Sequence, residues 1–190
     1  MERCQIVTLD HPRRAEAETF IRRVYRSRYG AEISVYSPIL IALIDDRDGI
    51  VCAAGLRSAR EGFFSESYLL APVEQVLSKL SGEQIGRSEI FEVTTLASSA
   101  PRETMRLFCD IVAFGRESGF SWSFFTLTRR LWQLIDNLGL GPVVLGDVDP
   151  QRIDNHGVWG RYYEADPKVY AVSRRSIIAG RSSVAKTILR

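Results

Sequence analysis

The stretch from Glu89 to Leu140, EIFEVTTLASSAPRETMRLFCDIVAFGRESGFSWSFFTLTRRLWQLIDNLGL, decides the fold class. Glu89 to Ala97 is rich in Phe, Val and Thr, which fit a pleated, half-buried surface, and it reads as a strand. The turn Ser98-Ser99-Ala100-Pro101 follows. From about Arg102 to Ser118, Met105, Phe108 and Val112 fall on one helical stripe, and Gly119 ends the helix. Phe120 to Thr128 reads as a second strand, Arg129 to Asn137 as a second helix capped by Gly139, and Pro142 to Gly146 as a third strand. A strand, helix and strand in this order form a right-handed βαβ unit.

Upstream of this unit, Ala17, Phe20, Ile21, Val24 and Tyr25 recur at helical spacing between Pro12 and Tyr29. Arg13, Arg14, Arg22, Arg23 and Arg26 fill the other faces of this amphipathic helix, which stops at Gly30. Pro38 to Ile44 and Ile50 to Leu56 read as strands joined by the turn Asp45-Asp46-Arg47-Asp48-Gly49. An apolar stretch, Phe63 to Leu70, leads through Pro72 into a short helix, Val73 to Leu80, ended by Ser81-Gly82. Downstream, Asp149-Pro150 and Asp154-Asn155 mark a polar connection, and Val169 to Val172 is a last short strand. The order predicts one α/β (α+β) domain over residues 1–172, with a mixed, mostly antiparallel sheet flanked by helices.

The 190 residues suffice for one core. A hydrophobic share of 45% and a charged share of 25% exclude a disordered or collagen-like chain. No apolar run is long enough to span a bilayer, and the N-terminal residues lack the apolar core of a signal peptide, so a cytoplasmic protein is expected. Cys4, Cys52 and Cys109 show neither zinc nor disulfide spacing and read as buried, reduced thiols; no metal site is expected. The net charge of +2 is uneven, because residues 173–190 carry Arg174, Arg175, Arg181, Lys186 and Arg190 without an acid. This basic tail is either a solvated end or a docking surface for an acidic partner. It has no interleaved aromatic residues, which argues against nucleic acid and leaves a membrane surface open.

The segment from Glu89 to Leu140 resembles the core of the GNAT acyltransferase superfamily, and a closer resemblance spans nearly the whole chain. It is carried by Phe20 to Gly30 (FIRRVYRSRYG), Ala54 to Arg57 (AGLR), Glu66 to Leu69 (ESYL), Glu92 to Ala97 (EVTTLA) and Trp159 to Glu164 (WGRYYE), which are similar to the thermostable haemolysin family. That pattern is in turn similar to acyl-homoserine-lactone synthases, the enzymes that make autoinducers. The resemblance implies a GNAT-like fold in which an acyl thioester lies along a splayed strand, with its phosphates at the next helix N-terminus. It implies that Thr94, Thr95, Leu96 and Ala97 hold the pantetheine arm, with Arg102 and Arg106 near the phosphates. Ser98 to Arg102 replaces the superfamily's glycine-rich loop, and Ile135 stands where many members carry a Tyr. This suits acyl carrier protein better than coenzyme A as acyl donor, with no tightly bound cofactor.

The mechanism so implied is direct attack of a small amino-acid-like amine on the thioester, which needs positioning and a group to take a proton. Glu92 and Glu66 are the candidates for that group, and Arg57 is the candidate grip on a carboxylate or on the acyl-chain mouth. The alternative for all three is an ion pair holding the first helix to the sheet. Arg22 and Tyr25 are candidates for a substrate lid, and Trp132, Trp159, Tyr162 and Tyr163 line either an acyl tunnel or a core. His11 and His156 stand beside no nucleophile motif, so a hydrolase triad is not expected. A membrane-active, haemolytic protein and a non-catalytic acyl-thioester-binding domain are the other readings.

Overall fold

The computed structural model describes residues 3–99 and 101–176. Seven strands form one sheet in the order β1-β2-β3-β4-β5-β7-β6. They are β1 (Arg3–Val7), β2 (Ile39–Ile44), β3 (Ile50–Ser58), β4 (Ile90–Ser98), β5 (Trp122–Leu127), β6 (Val143–Asp147) and β7 (Lys168–Ser173). The helices are α1 (Arg14–Tyr29), α2 (Val73–Ser81), α3 (Pro101–Glu117) and α4 (Arg129–Asn137). Only β4 and β5 pair in parallel, and the other neighbours are antiparallel. The mostly antiparallel sheet with one βαβ unit, expected from Glu89 to Leu140, is therefore present.

Helix stops follow the glycines. Gly30 takes φ +66, and the Gly30 and Ala31 N–H groups donate to the Arg26 and Tyr25 carbonyls, closing the end of α1. One sheet face packs under α3 and α4 around Leu56, Phe91, Val93, Phe108 and Ile135. The other face is shared. α1 covers it near Ala42, Ala53 and Ala97, while α2 and the 63–69 segment cover it near Ile90, Phe124 and Val169. The boundary between these two covers runs over β3 and β4.

Three features differ from the expectations. β1 is an additional strand pairing with β2 at the sheet edge, and only its Val7 is buried. Residues 150–165 hold the 3-10 helix Pro150–Arg152 and a 3-10 stretch, His156–Ala165, broken by a kink at Gly160 and Arg161, where a polar connection was expected. Of the three thiols only Cys52 is buried; Cys109 is exposed and Cys4 half-buried, with burial pushing the Cys4 thiol up to about 12. Within the tail, Ser173 ends β7, and Arg181, Lys186 and Arg190 lie outside the described residues.

Candidate acyl-thioester and acceptor clefts

β4 and β5 separate part-way along their length. Ile90 to Val93 pair with Trp122 to Phe125, but Thr94 to Ser98 of β4 pair only with β3, and Thr126 and Leu127 of β5 pair only with β7. A bulge starts the splay. Between the pairs Gly55↔Thr94 and Ala53↔Ala97, β4 holds one residue more than β3, and Thr95 adopts φ +43. A branched residue in this left-handed conformation carries strain, and its hydroxyl oxygen is buried without a partner.

The splay opens a narrow slot of about 20 Å³ lined by Thr94, Thr95, Leu96, Thr126, Tyr25 and Arg28, among others. Arg28 is exposed, and its one hydrogen bond among the described residues is a 3.4 Å contact to the Ser98 carbonyl. Thr94 and Thr95 also line a larger cleft of about 310 Å³ at the boundary between the two covers of the same sheet face. Phe64, Trp159, Tyr36 and Ile33 give this cleft apolar walls, with Arg57 and Asp154 as its charged groups. Two further hollows flank Phe91 and Phe120 beside α3, and neither is lined by Thr94 or Thr95. Among the described residues, no three His, Cys, Asp or Glu side chains are grouped closely enough to hold a metal.

The larger cleft is held open by specific contacts. The buried Arg14 guanidinium donates to the Ser37 and Pro38 carbonyls at 2.7 and 3.0 Å and fixes the loop on one wall. The Ser37 and Thr94 hydroxyls meet at 2.8 Å across Gly55. A Cβ on Gly55 would lie 2.3 Å from Thr94 Oγ1 and 2.5 Å from Ser37 Oγ, so this position excludes a side chain. On the other wall, Gly160 (φ +54) brings its backbone against α1, where a Cβ would lie 2.2 Å from the Tyr29 carbonyl oxygen. This contact seats Trp159 and Tyr162 on Tyr25.

The two carboxylate candidates have different surroundings. Glu92 is 0% exposed and accepts hydrogen bonds from the backbone N–H of Phe64 at 2.7 Å and of Ser65 at 2.6 Å. It lies opposite Arg57 in the ladder. Burial pushes its carboxyl up, against the opposing pull of Ser65, the Phe64 N–H and Arg57. No substrate atom can touch it directly. Glu66 accepts two hydrogen bonds from the Arg87 guanidinium, at 2.6 and 2.7 Å, and one from Val73 N–H at 2.9 Å, capping α2. Its Arg87 partner holds it below the usual carboxylate range. Arg87 also binds Glu74 and lies over the Phe63 ring. Glu66, expected as a base, lines neither cleft and stands in an ion pair with Arg87.

Arg57 reaches the larger cleft with Nε and Nη2 bound to the Gly62 and Glu61 carbonyls; no hydrogen bond engages Nη1 among the described residues. Of the two lid candidates, Tyr25 is buried and forms a wall of the slot, and Arg22 is exposed and contacts Thr19. Trp132 of α4, expected to touch substrate, stacks on Tyr170 and lines neither cleft. Ala97 is fully buried beneath α1, with no share in the slot. Arg106 pairs with Asp110 and turns towards Cys4 at the β1 edge, while Arg102 is exposed in the first turn of α3. Arg28, Ser37, Phe64 and Asp154 are cleft residues that sequence reasoning missed. Only Arg28 carried a signal, since it lies three residues after Tyr25 on the same face of α1.

With this geometry described, comparison with known proteins is informative. The thermostable hemolysin family model matches residues 7–178, and the chain belongs to that family. Among curated proteins none matches in sequence. The structure is similar to LasI, an acyl-homoserine-lactone synthase, at 11% identity and TM-score 0.63 over 92% of this chain and 90% of that one. It is similar to FeeM, an N-acyl amino acid synthase from uncultured soil microbes, at 14% identity and TM-score 0.61, with 92% of each chain covered. It is also similar to BjaI, a coenzyme-A-dependent acyl-homoserine-lactone synthase, at 9% identity and TM-score 0.60 over 97% of this chain and 90% of that one. At these identities the likeness is one of fold, and the fold is GNAT-like.

Proposed function

We propose that this member of the thermostable hemolysin family is an N-acyltransferase that moves an acyl group from a thioester to the amine of a small amino-acid-like acceptor. The observation that carries the reading is that two clefts of different character share Thr94 and Thr95 at the strained bulge of β4. A narrow slot between splayed parallel strands suits an extended pantetheine arm, with the thioester carbonyl arriving at the bulge. The wider aromatic cleft on its other side suits the acceptor, so the two reactants meet at one point. Structures of similar fold are named as synthases of acyl-homoserine lactones and N-acyl amino acids, which supports the same reaction class.

The residues divide by cleft. Thr94, Thr95 and Leu96 border the acyl arm, with Arg28 and Arg102 near the mouth for its phosphate. Arg57 offers Nη1 to the acceptor's carboxylate while its other nitrogens are held by backbone carbonyls, and Phe64 and Trp159 pack against the acceptor's side chain. The donor is acyl carrier protein in preference to coenzyme A, because Ser98-Ser99-Ala100-Pro101-Arg102 offers no glycine-rich cradle for a nucleotide pyrophosphate. No helix among the described residues is long and apolar enough to cross a membrane.

The test is intact mass spectrometry of acyl-loaded carrier protein and, separately, acyl-coenzyme A, each incubated with the protein and the common amino acids. The expected result is loss of the acyl group from the carrier protein with formation of an amide, and a raised acceptor KM in Arg57→Ala. If neither donor is consumed, the reading is wrong.

A further inference from the structure

We infer that the sealed carboxylate of Glu92 is connected to the reacting centre by two hydroxyls, Thr126 and Ser65, which relay the acceptor amine's proton during acyl transfer. The inference rests on the acyltransferase reading above.

Glu92 cannot meet a substrate, yet an amine that attacks a thioester has to lose a proton. A path leads to it. Thr126 stands at the end of β5, beyond the last parallel pair with β4, and lines the slot. Its Oγ1 donates to Ser65 Oγ at 2.8 Å. Ser65 is 2% exposed; its N–H binds Glu92 at 2.6 Å, and its hydroxyl stabilises the same carboxylate. Because Ser65 Oγ accepts from Thr126, its own proton is left to turn towards the carboxylate that the Ser65 N–H already holds.

The surroundings leave Glu92 as the group that changes charge. Besides Ser65 and the Phe64 N–H, the charged or titratable groups acting on it among the described residues are Arg57 from β3 and Tyr68 from the 3-10 turn. Burial and the bond to Tyr163 push the Tyr68 hydroxyl far up, so it stays neutral. Burial also favours the neutral form of Glu92, which suits a group that has to hold a proton briefly.

The step balances. As the amine nitrogen bonds to the carbonyl carbon, its surplus proton passes to Thr126 Oγ, the Thr126 proton to Ser65 Oγ, and the Ser65 proton to Glu92, which becomes the neutral acid. Collapse of the tetrahedral adduct breaks the C–S bond, and the thiolate recovers a proton along the same path. The products are one amide and one thiol, and the carboxylate is restored.

Ser65→Ala removes the hydroxyl but keeps the backbone N–H that anchors Glu92. Thr126→Val keeps the shape, and Thr126→Ser keeps the hydroxyl. With acyl-loaded carrier protein and acyl-coenzyme A as donors and the common amino acids as acceptors, kcat is expected to fall on the order of 10²-fold in Ser65→Ala and Thr126→Val near neutral pH. Thioester KM should stay unchanged, Thr126→Ser should restore the rate, and the deficit should shrink as rising pH supplies free base. Wild-type kcat in both variants across the pH range overturns the relay, as does a loss that Thr126→Ser fails to restore or that appears only in KM. A wild-type protein that consumes neither donor overturns the acyltransferase reading, and the relay with it.

Discussion

Within β4, residues 90–93 are hydrogen-bonded to β3 and β5, whereas residues 94–98 are bonded to β3 alone. The doubly paired part holds a carboxylate, Glu92, sealed from solvent and tied to two backbone N–H groups. The singly paired part holds a bulge, a left-handed threonine and a buried hydroxyl oxygen without a partner. Regular pairing is where a protein can keep a buried charge satisfied, and a broken ladder is where it can leave room and hydrogen-bonding capacity for a ligand. In this protein Glu92 and Thr95 stand three positions apart on one strand, so a substrate at the bulge lies close to a carboxylate that it cannot touch.

The largest expected effect comes from breaking the sealed part. Glu92→Ala leaves two buried N–H groups without an acceptor and should cost about 3 kcal/mol in denaturant unfolding, with activity lost. Glu66→Ala, which removes a partly exposed ion pair and a helix cap, should cost about 1 kcal/mol and leave kcat unchanged. Equal losses in the two variants would erase the distinction between the carboxylates. Gly55→Ala pushes a methyl group onto Ser37 and Thr94 and should cost about 2 kcal/mol by overpacking, with acceptor KM raised in steady-state assays. Thr95→Gly works in the opposite direction. Relieving the left-handed φ should raise stability by up to about 1 kcal/mol while weakening thioester binding, measured by thermal unfolding and titration calorimetry. A variant that is both less stable and equally tight in binding would show that the bulge carries no strain kept for function.

The smallest effect is in pH dependence. Arg87 holds Glu66 below its usual range, so its contribution is present above the unfolded carboxylate pKa of about 4.3 and is lost as pH falls through the folded value. Burial raises Glu92, so any contribution of its titration is full below that unfolded value and is lost as pH rises through the folded one. Stability measured from acid to neutral pH should therefore fall less steeply on acidification in Glu66→Gln than in the wild type. Glu92→Gln should show the opposite change in slope.

The βαβ unit was legible because Gly119 closes its helix and its strands are rich in Phe, Val and Thr, while Gly139 closes the helix that follows. β1 was not, since an edge strand of five residues with one buried side chain has no clear period. Family resemblance implied a splayed strand here but not its bulge at Thr94 to Leu96, since nothing in a run of two threonines marks a left-handed residue. Glu66 and Glu92 looked equivalent because the features that separate them, Arg87 and the N–H groups of Phe64 and Ser65, lie 21, 28 and 27 residues away along the chain. The aromatic wall from Trp159 to Tyr163 was hidden for a related reason, since its packing on α1 depends on Gly160 meeting Tyr29.

The most direct test of the shared centre is a crystal structure of the protein with a thioether analogue of an acyl-carrier-protein arm, in which the carbonyl is replaced by a methylene that cannot react. The account predicts electron density for the arm between β4 and β5, with the sulfur beside Thr94 and Thr95 and the aromatic cleft still open on the other side. An arm bound in the hollows beside Phe91 and Phe120, with the splay empty, would contradict it.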